Sequence, residues 1–70
     1  MKYSFGVGAR VVYVDTPNIG SIYKDSIDVY DNIEYQFGHD VAASASSWTE
    51  LACIGEVYEH KNFKIEMVEV

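Results

Sequence analysis

The chain has few of the residues that small proteins use as covalent or metal anchors. Only one of its 70 residues is a cysteine, Cys53, so no disulfide can form within the chain. The two histidines, His39 and His60, are far apart, and zinc sites usually contain His or Cys pairs at short spacing. The sequence therefore predicts no disulfide framework, no metal site and no cofactor.

Long apolar runs are also missing. No stretch of about 18 apolar residues occurs, so the sequence predicts no transmembrane helix. The first residues, Met1 to Gly6, lack the apolar segment of a signal peptide, and with a single thiol we expect a cytoplasmic location. Hydrophobic residues still make up 49% of the chain, which is enough for the core of one domain spanning residues 1–70.

Basic residues are scarce, and the middle of the chain has none. Eleven Asp and Glu stand against five Lys and Arg, which gives a net charge of −6. Eight of the acidic residues lie between Asp25 and Glu59, in a window without Lys or Arg. Because nucleic-acid binding depends on Lys and Arg displacing counterions from phosphates, direct DNA or RNA binding is disfavoured. A partner protein with a basic surface is favoured, although net charge also serves solubility alone.

No set of residues predicts catalysis. The segment Gly6-Val7-Gly8-Ala9-Arg10-Val11 is an incomplete dinucleotide-binding motif, because Val11 replaces its third glycine and no strand–helix frame surrounds it. Cys53 has no base or positive charge beside it in the sequence, so we predict a buried small hydrophobe rather than a nucleophile. The chain is therefore expected not to be an enzyme.

Alternating apolar residues predict strands at the start, in the middle and at the end of the chain. Tyr3–Tyr13 alternates over its whole length, and Phe63–Val70 does so until its last residues. Ile27–Phe37 keeps most apolar residues on one parity, which indicates either a bent strand or a hairpin with an odd loop. Pro17 marks the loop between the first two of these segments.

One helix is predicted between the middle and last strands. Ser47 and Glu50 fit a capping box, in which each side chain bonds the backbone amide of the other residue. Apolar residues then follow at helical spacing: Trp48, Leu51, Ala52, Gly55 and Tyr58. The alternative is a strand over Thr49–Ile54 and another over Glu56–Glu59.

Two stretches resemble a known family. Phe5–Val14, with its phrase Val7-Gly8-Ala9-Arg10-Val11, resembles the opening strand of small SH3-like barrels, with Asp15–Lys24 as the long loop that follows. His60–Glu69 resembles the closing strand of such domains. The resemblance implies a mainly β fold with one short helix, as a small, partly open SH3-like barrel; such folds host many functions and identify no partner. The alternative is an α+β fold with one helix packed on an antiparallel sheet.

Tyrosines close to carboxylates mark the candidate binding surface, because tyrosine is enriched at protein interfaces. The predicted partner-binding residues are Tyr23, Asp25, Asp28, Tyr30, Asp31 and Glu34. They predict a non-catalytic protein-binding domain that uses an acidic, tyrosine-bearing face. Size and charge suit a small phage-type or mobile-element-type inhibitor or regulator of a nucleic-acid-binding protein. The alternative is a structural or oligomeric subunit that pairs through exposed strand edges.

Overall fold

The computed structural model describes all 70 residues, Met1–Val70, and its strands form a single antiparallel sheet. The elements follow in the order β1 (Val7–Tyr13), β2 (Gly20–Tyr23), α1 (Ser26–Phe37), α2 (His39–Leu51), β3 (Val57–Glu59) and β4 (Phe63–Glu69). The strand order is β2-β1-β4-β3, so the two seven-residue strands pair at the centre. The fold is α+β, with two helices and four strands.

Alternation along the two central strands determines which side of the sheet the helices cover. Val11 and Ile65 lie opposite each other in the register of β1 and β4, and each is at most 1% exposed. Val29 and Ile33 of α1 complete the same core, with no exposed surface. Burying a side chain of this kind stabilises the fold by about 1.5–3 kcal/mol, so this contact is what holds the helices on the sheet.

The predicted strands at the two ends of the chain are confirmed as β1 and β4, although β1 begins at Val7 and not at Tyr3. The predicted middle strand is wrong. Its residues form α1, which Asp25 caps by accepting a hydrogen bond from the amide of Ile27 at 2.9 Å. Ser26, Val29 and Ile33 are the buried residues of the helix, and they recur every three or four positions.

The capping box at Ser47 is also wrong, because α2 begins eight residues earlier, at His39, and Ser47 lies inside it. The Glu50 carboxylate instead accepts a hydrogen bond from the Ser26 hydroxyl at 2.7 Å, which joins the end of α2 to the start of α1. The helix ends at Leu51 rather than continuing to Tyr58. The strand alternative over 56–59 is close to the observed β3.

A single residue, Gly38, connects the two helices. Its backbone has φ +92° and ψ 174°, a conformation that is almost confined to glycine. Its amide donates to the Glu34 carbonyl at 3.0 Å, and its carbonyl accepts from the Ala42 amide at 3.2 Å. This turn folds α2 back alongside α1, so the two helices form one layer.

The prediction of a mainly β fold with one helix was therefore wrong. The alternative prediction gave the α+β class correctly but with one helix instead of two. The segment 15–24, expected as a loop, contains the edge strand β2. The resemblance to SH3-like domains stays a prediction. Neither helix, at 12 and 13 residues, has the length and apolar character that crossing a bilayer requires.

The N-terminal segment is tied to both helices. Tyr3 is 8% exposed, and its hydroxyl donates to Thr49 Oγ1 at 2.7 Å, while the Thr49 hydroxyl donates to the Ser46 carbonyl at 2.6 Å. Burial raises the pKa of Tyr3. The Met1 amino group reaches the carboxylate of Asp25 at 3.1 Å. These contacts anchor the segment at the start of α1 and near the end of α2.

Candidate functional site

The helical layer carries negative charge that no basic side chain neutralises. Five of the eleven acidic residues lie in α1 and α2, and none of the five basic ones does. The two ion pairs of the structure join the Met1 amino group to Asp25 at 3.1 Å and Lys64 to Glu66 at 3.2 Å. No carboxylate within the helices is thus paired with Lys or Arg, and the layer keeps its negative field.

One side of α1 combines this charge with exposed apolar surface. Five exposed residues make up what we call the outer face of α1: Ile27, Asp28, Asp31, Glu34 and Tyr35. At about 100° per residue they lie on the side of the helix away from the buried Val29 and Ile33. Ile27 is 59% exposed and Tyr35 is 92% exposed, so both are available to a partner.

Three of the six predicted binding residues, Asp28, Asp31 and Glu34, lie on this face. They follow one another at intervals of three residues, which separates them along the helix axis by about 4.5 Å per step. Glu34 also accepts a hydrogen bond from the Tyr30 hydroxyl at 2.8 Å, which orients its carboxylate. The row presents closely spaced negative charge at the surface.

The other three predicted residues have contacts inside the fold. Asp25 caps α1, and the hydrogen bond from the Ile27 amide, followed by the contact with the Met1 amino group, lowers the pKa of Asp25. Tyr23 and Tyr30 are half-buried and pack against the core. The Tyr30 hydroxyl contacts both Glu34 and His39, and the hydrogen bond to Glu34 raises the pKa of Tyr30.

Sequence reasoning missed Ile27 and Tyr35, because a strand over this segment would have placed both on the core-facing side. The signal that reveals them is the pairing of an N-cap residue, Asp25, with apolar positions at helical spacing. That pairing predicts a helix, and on a helix Ile27 and Tyr35 fall outside the apolar stripe.

A hollow of about 470 Å³ lies next to Tyr35, between the end of α1 and the loop after β1. Aromatic rings contribute to its wall, and an acidic side chain stands among them: the relevant residues are Tyr13, Asp15, Tyr35 and Phe37. An aromatic wall beside a carboxylate suits the side chain of Lys or Arg, because the ring face attracts a cation.

The structure gathers no three His, Cys, Asp or Glu side chains into a group that could hold a metal ion. Cys53 is exposed, so its prediction as a buried residue was wrong. It lies in the turn between α2 and β3, where its amide donates to the Glu56 carboxylate at 2.6 Å, and no core forms around this turn.

In comparisons with known proteins, no family model matches this chain, and no curated protein or solved structure shows a significant match. Function therefore has to follow from the surface of the molecule itself.

Proposed function

We propose that this chain is a non-catalytic protein-binding domain whose outer face of α1 docks on a basic surface of a partner protein. The proposal rests on one observation above all. A single exposed helix face holds three carboxylates that have no Lys or Arg partner, together with the exposed Ile27 and Tyr35.

The two kinds of residue on this face have different tasks. The carboxylates attract a basic partner at a distance, and such steering can raise association rates by about 10- to 1,000-fold. Exposed apolar and aromatic side chains supply affinity once they are buried, and tyrosine is among the residues that most often dominate an interface. The hollow beside Tyr35 accepts a Lys or Arg side chain of the partner.

The class of partner follows from the charge. A groove rich in Lys and Arg, of the kind that holds a nucleic-acid backbone, is the surface that best complements this face. A domain seated in such a groove would exclude nucleic acid from it. The chain would then act as an inhibitor or regulator of a nucleic-acid-binding protein.

The test begins with capture of the partner from a host lysate on the immobilised chain, followed by binding kinetics with the purified partner. Reversing two charges on the outer face, Asp28→Lys with Glu34→Lys, should slow association by about tenfold and weaken its salt dependence. Tyr35→Ala should mainly speed dissociation, because it removes a contact that forms only in the complex.

The matched control is Glu56→Lys with Glu69→Lys, which changes net charge equally at two exposed positions outside the helices and the hollow. This control should retain much more of the association rate. Equal effects of the two double variants would show that only the total charge of the chain matters. Binding that depends on neither salt concentration nor charge reversal would contradict the proposal.

Pairing through strand edges, the alternative function, has less support. The edge strands β2 and β3 contain only four and three residues. Such short edges offer few free backbone groups to a neighbouring chain.

A further inference from the structure

The helices cover only one side of the sheet. Residues paired across antiparallel strands share a face, and Arg10 is paired with both Ile22 and Glu66. Arg10 and Glu66 alternate with the buried core residues along β1 and β4, so this set of paired residues lies on the side away from the helices. We call this side the open sheet face; its residues are Gly8, Arg10, Val12, Gly20, Ile22, Val57, Glu59, Lys64, Glu66 and Val68.

Much of the open sheet face is apolar. Ile22 is 45% exposed and Val57 is 47% exposed, and they lie in the two edge strands, while Val12 and Val68 are half-buried on the central ones. Exposed apolar surface that extends over a whole sheet is a common mark of a protein interface.

Two glycines on this face leave room for neighbouring side chains to lie close to the sheet. A β-carbon at Gly8 would stand 2.8 Å from Ile22 Cγ2 and 3.0 Å from Val70 Cγ1, so these side chains lie directly over the glycine. A β-carbon at Gly20 would stand 3.2 Å from the aliphatic stem of Arg10. The aliphatic side chains thus lie flat against the sheet, which allows a flat surface of a partner to approach closely.

The charges of the open sheet face balance, unlike those of the helices. The face holds two basic and two acidic residues: Arg10, Lys64, Glu59 and Glu66. Lys64 pairs with Glu66 at 3.2 Å, whereas Arg10 forms no ion pair within the chain. The strand register places Ile22, Arg10, Glu66 and Val57 in one row across the sheet. A two-fold axis parallel to the strands, between β1 and β4, therefore brings Arg10 of one copy opposite Glu66 of the other.

From the charge complementarity and the flatness of this face, we propose that the open sheet face of one copy packs against the same face of a second copy. The result is a four-layered homodimer with helices outside and sheets inside. The outer face of α1 stays exposed in both copies, so this inference is independent of the proposed function. It would, however, present two acidic faces on opposite sides of one particle.

Size-exclusion chromatography with light scattering on the full chain tests the dimer. At concentrations of tens of micromolar we expect a mass of twice 7.9 kDa. Val57→Lys places an unpaired charge in the buried interface and should raise the dissociation constant by at least about tenfold. The matched control, Ile27→Lys, makes the same kind of change on the helical layer and should leave the dimer intact.

Charge balance has its own test. Arg10→Glu alone leaves the face with one basic and three acidic residues and should weaken the dimer, while adding Glu66→Arg restores two of each and should recover it. Circular dichroism confirms that each variant is folded. A second measurement adds a soluble paramagnetic agent to the unchanged chain. As the protein concentration rises, the agent should broaden the methyl signals of Ile22 and Val57 less, because the dimer interface excludes it.

A monomer at every concentration up to the millimolar range would overturn the proposal. So would a dimer that dissociates in Ile27→Lys but not in Val57→Lys, because the helices would then form the interface.

Discussion

Replacing Thr49 by valine tests how far the fold depends on the buried hydrogen bond between the N-terminal segment and α2. The Tyr3 hydroxyl donates to Thr49 Oγ1 at 2.7 Å, and the two residues are 8% and 1% exposed. Valine retains the size and branching of threonine but can neither donate nor accept. The Tyr3 hydroxyl then loses its only hydrogen-bond partner at a buried position.

The size of the effect follows from which group is left without a partner. An orphaned buried hydroxyl costs about 1–3 kcal/mol, so Thr49→Val should lower the free energy of unfolding by that amount. Tyr3→Phe should cost less, about 0.5–1.5 kcal/mol, because the Thr49 hydroxyl still donates to the Ser46 carbonyl. In the double variant no hydroxyl is orphaned, so its loss should be smaller than the sum of the two single losses by about 1 kcal/mol.

Urea denaturation followed by circular dichroism measures all four proteins, at one fixed concentration because a dimer's stability depends on concentration. With a slope of about 1 kcal/mol/M, a loss of about 1–3 kcal/mol lowers the midpoint by about 1–3 M. Thr16→Val is the control, since Thr16 is exposed and its side chain makes no hydrogen bond; its effect should stay within about 0.5 kcal/mol. An equally small effect of Thr49→Val, or strictly additive single losses, would refute the reasoning.

Two further predictions concern the ends of α1. Gly38→Ala should lower the free energy of unfolding by about 1–3 kcal/mol, because φ +92° strains any L side chain even though a β-carbon there meets no atom within 4 Å; an unchanged urea midpoint would contradict this. At the other end, Asp25 should titrate below about 3.9, the ordinary value for Asp, in an NMR pH titration. Since its pKa is lowered by folding, its stabilising contribution is complete above the ordinary pKa and disappears as pH falls through the lower one, and Asp25→Ala should remove that acid-side loss. A titration midpoint at or above the ordinary value would show that the cap does not hold the carboxylate.

The sequence was most informative where one face of a strand is buried and the other is not. Ala9 and Val11 are buried on either side of the exposed Arg10, and the alternation of apolar residues alone predicted β1. The same holds for β4. The exposure of the three carboxylates of α1 was also predictable, because a run of carboxylates stays at the surface whether the backbone is helix or strand.

The segment of α1 shows why other predictions failed. Val29 and Ile33 are four residues apart, so they share a face on a strand and also share a face on a helix. Ile27 and Tyr35 fit the strand pattern equally well, so alternation of apolar residues does not separate the two conformations. In the fold the helix leaves both side chains exposed, so the apolar part of the candidate site could not be read from alternation.

By itself the sequence determined the two central strands and the sign of charge over the middle of the chain, because alternation and charge are properties of neighbouring residues. Tertiary structure alone decided that this middle part forms two helices on one side of the sheet, and that Ile27 and Tyr35 stand among the carboxylates at the surface. The physical reason is that a side chain becomes buried through contacts with residues that are distant in the sequence. Val29 and Ile33 are covered only because β1 and β4, from opposite ends of the chain, pair beneath them.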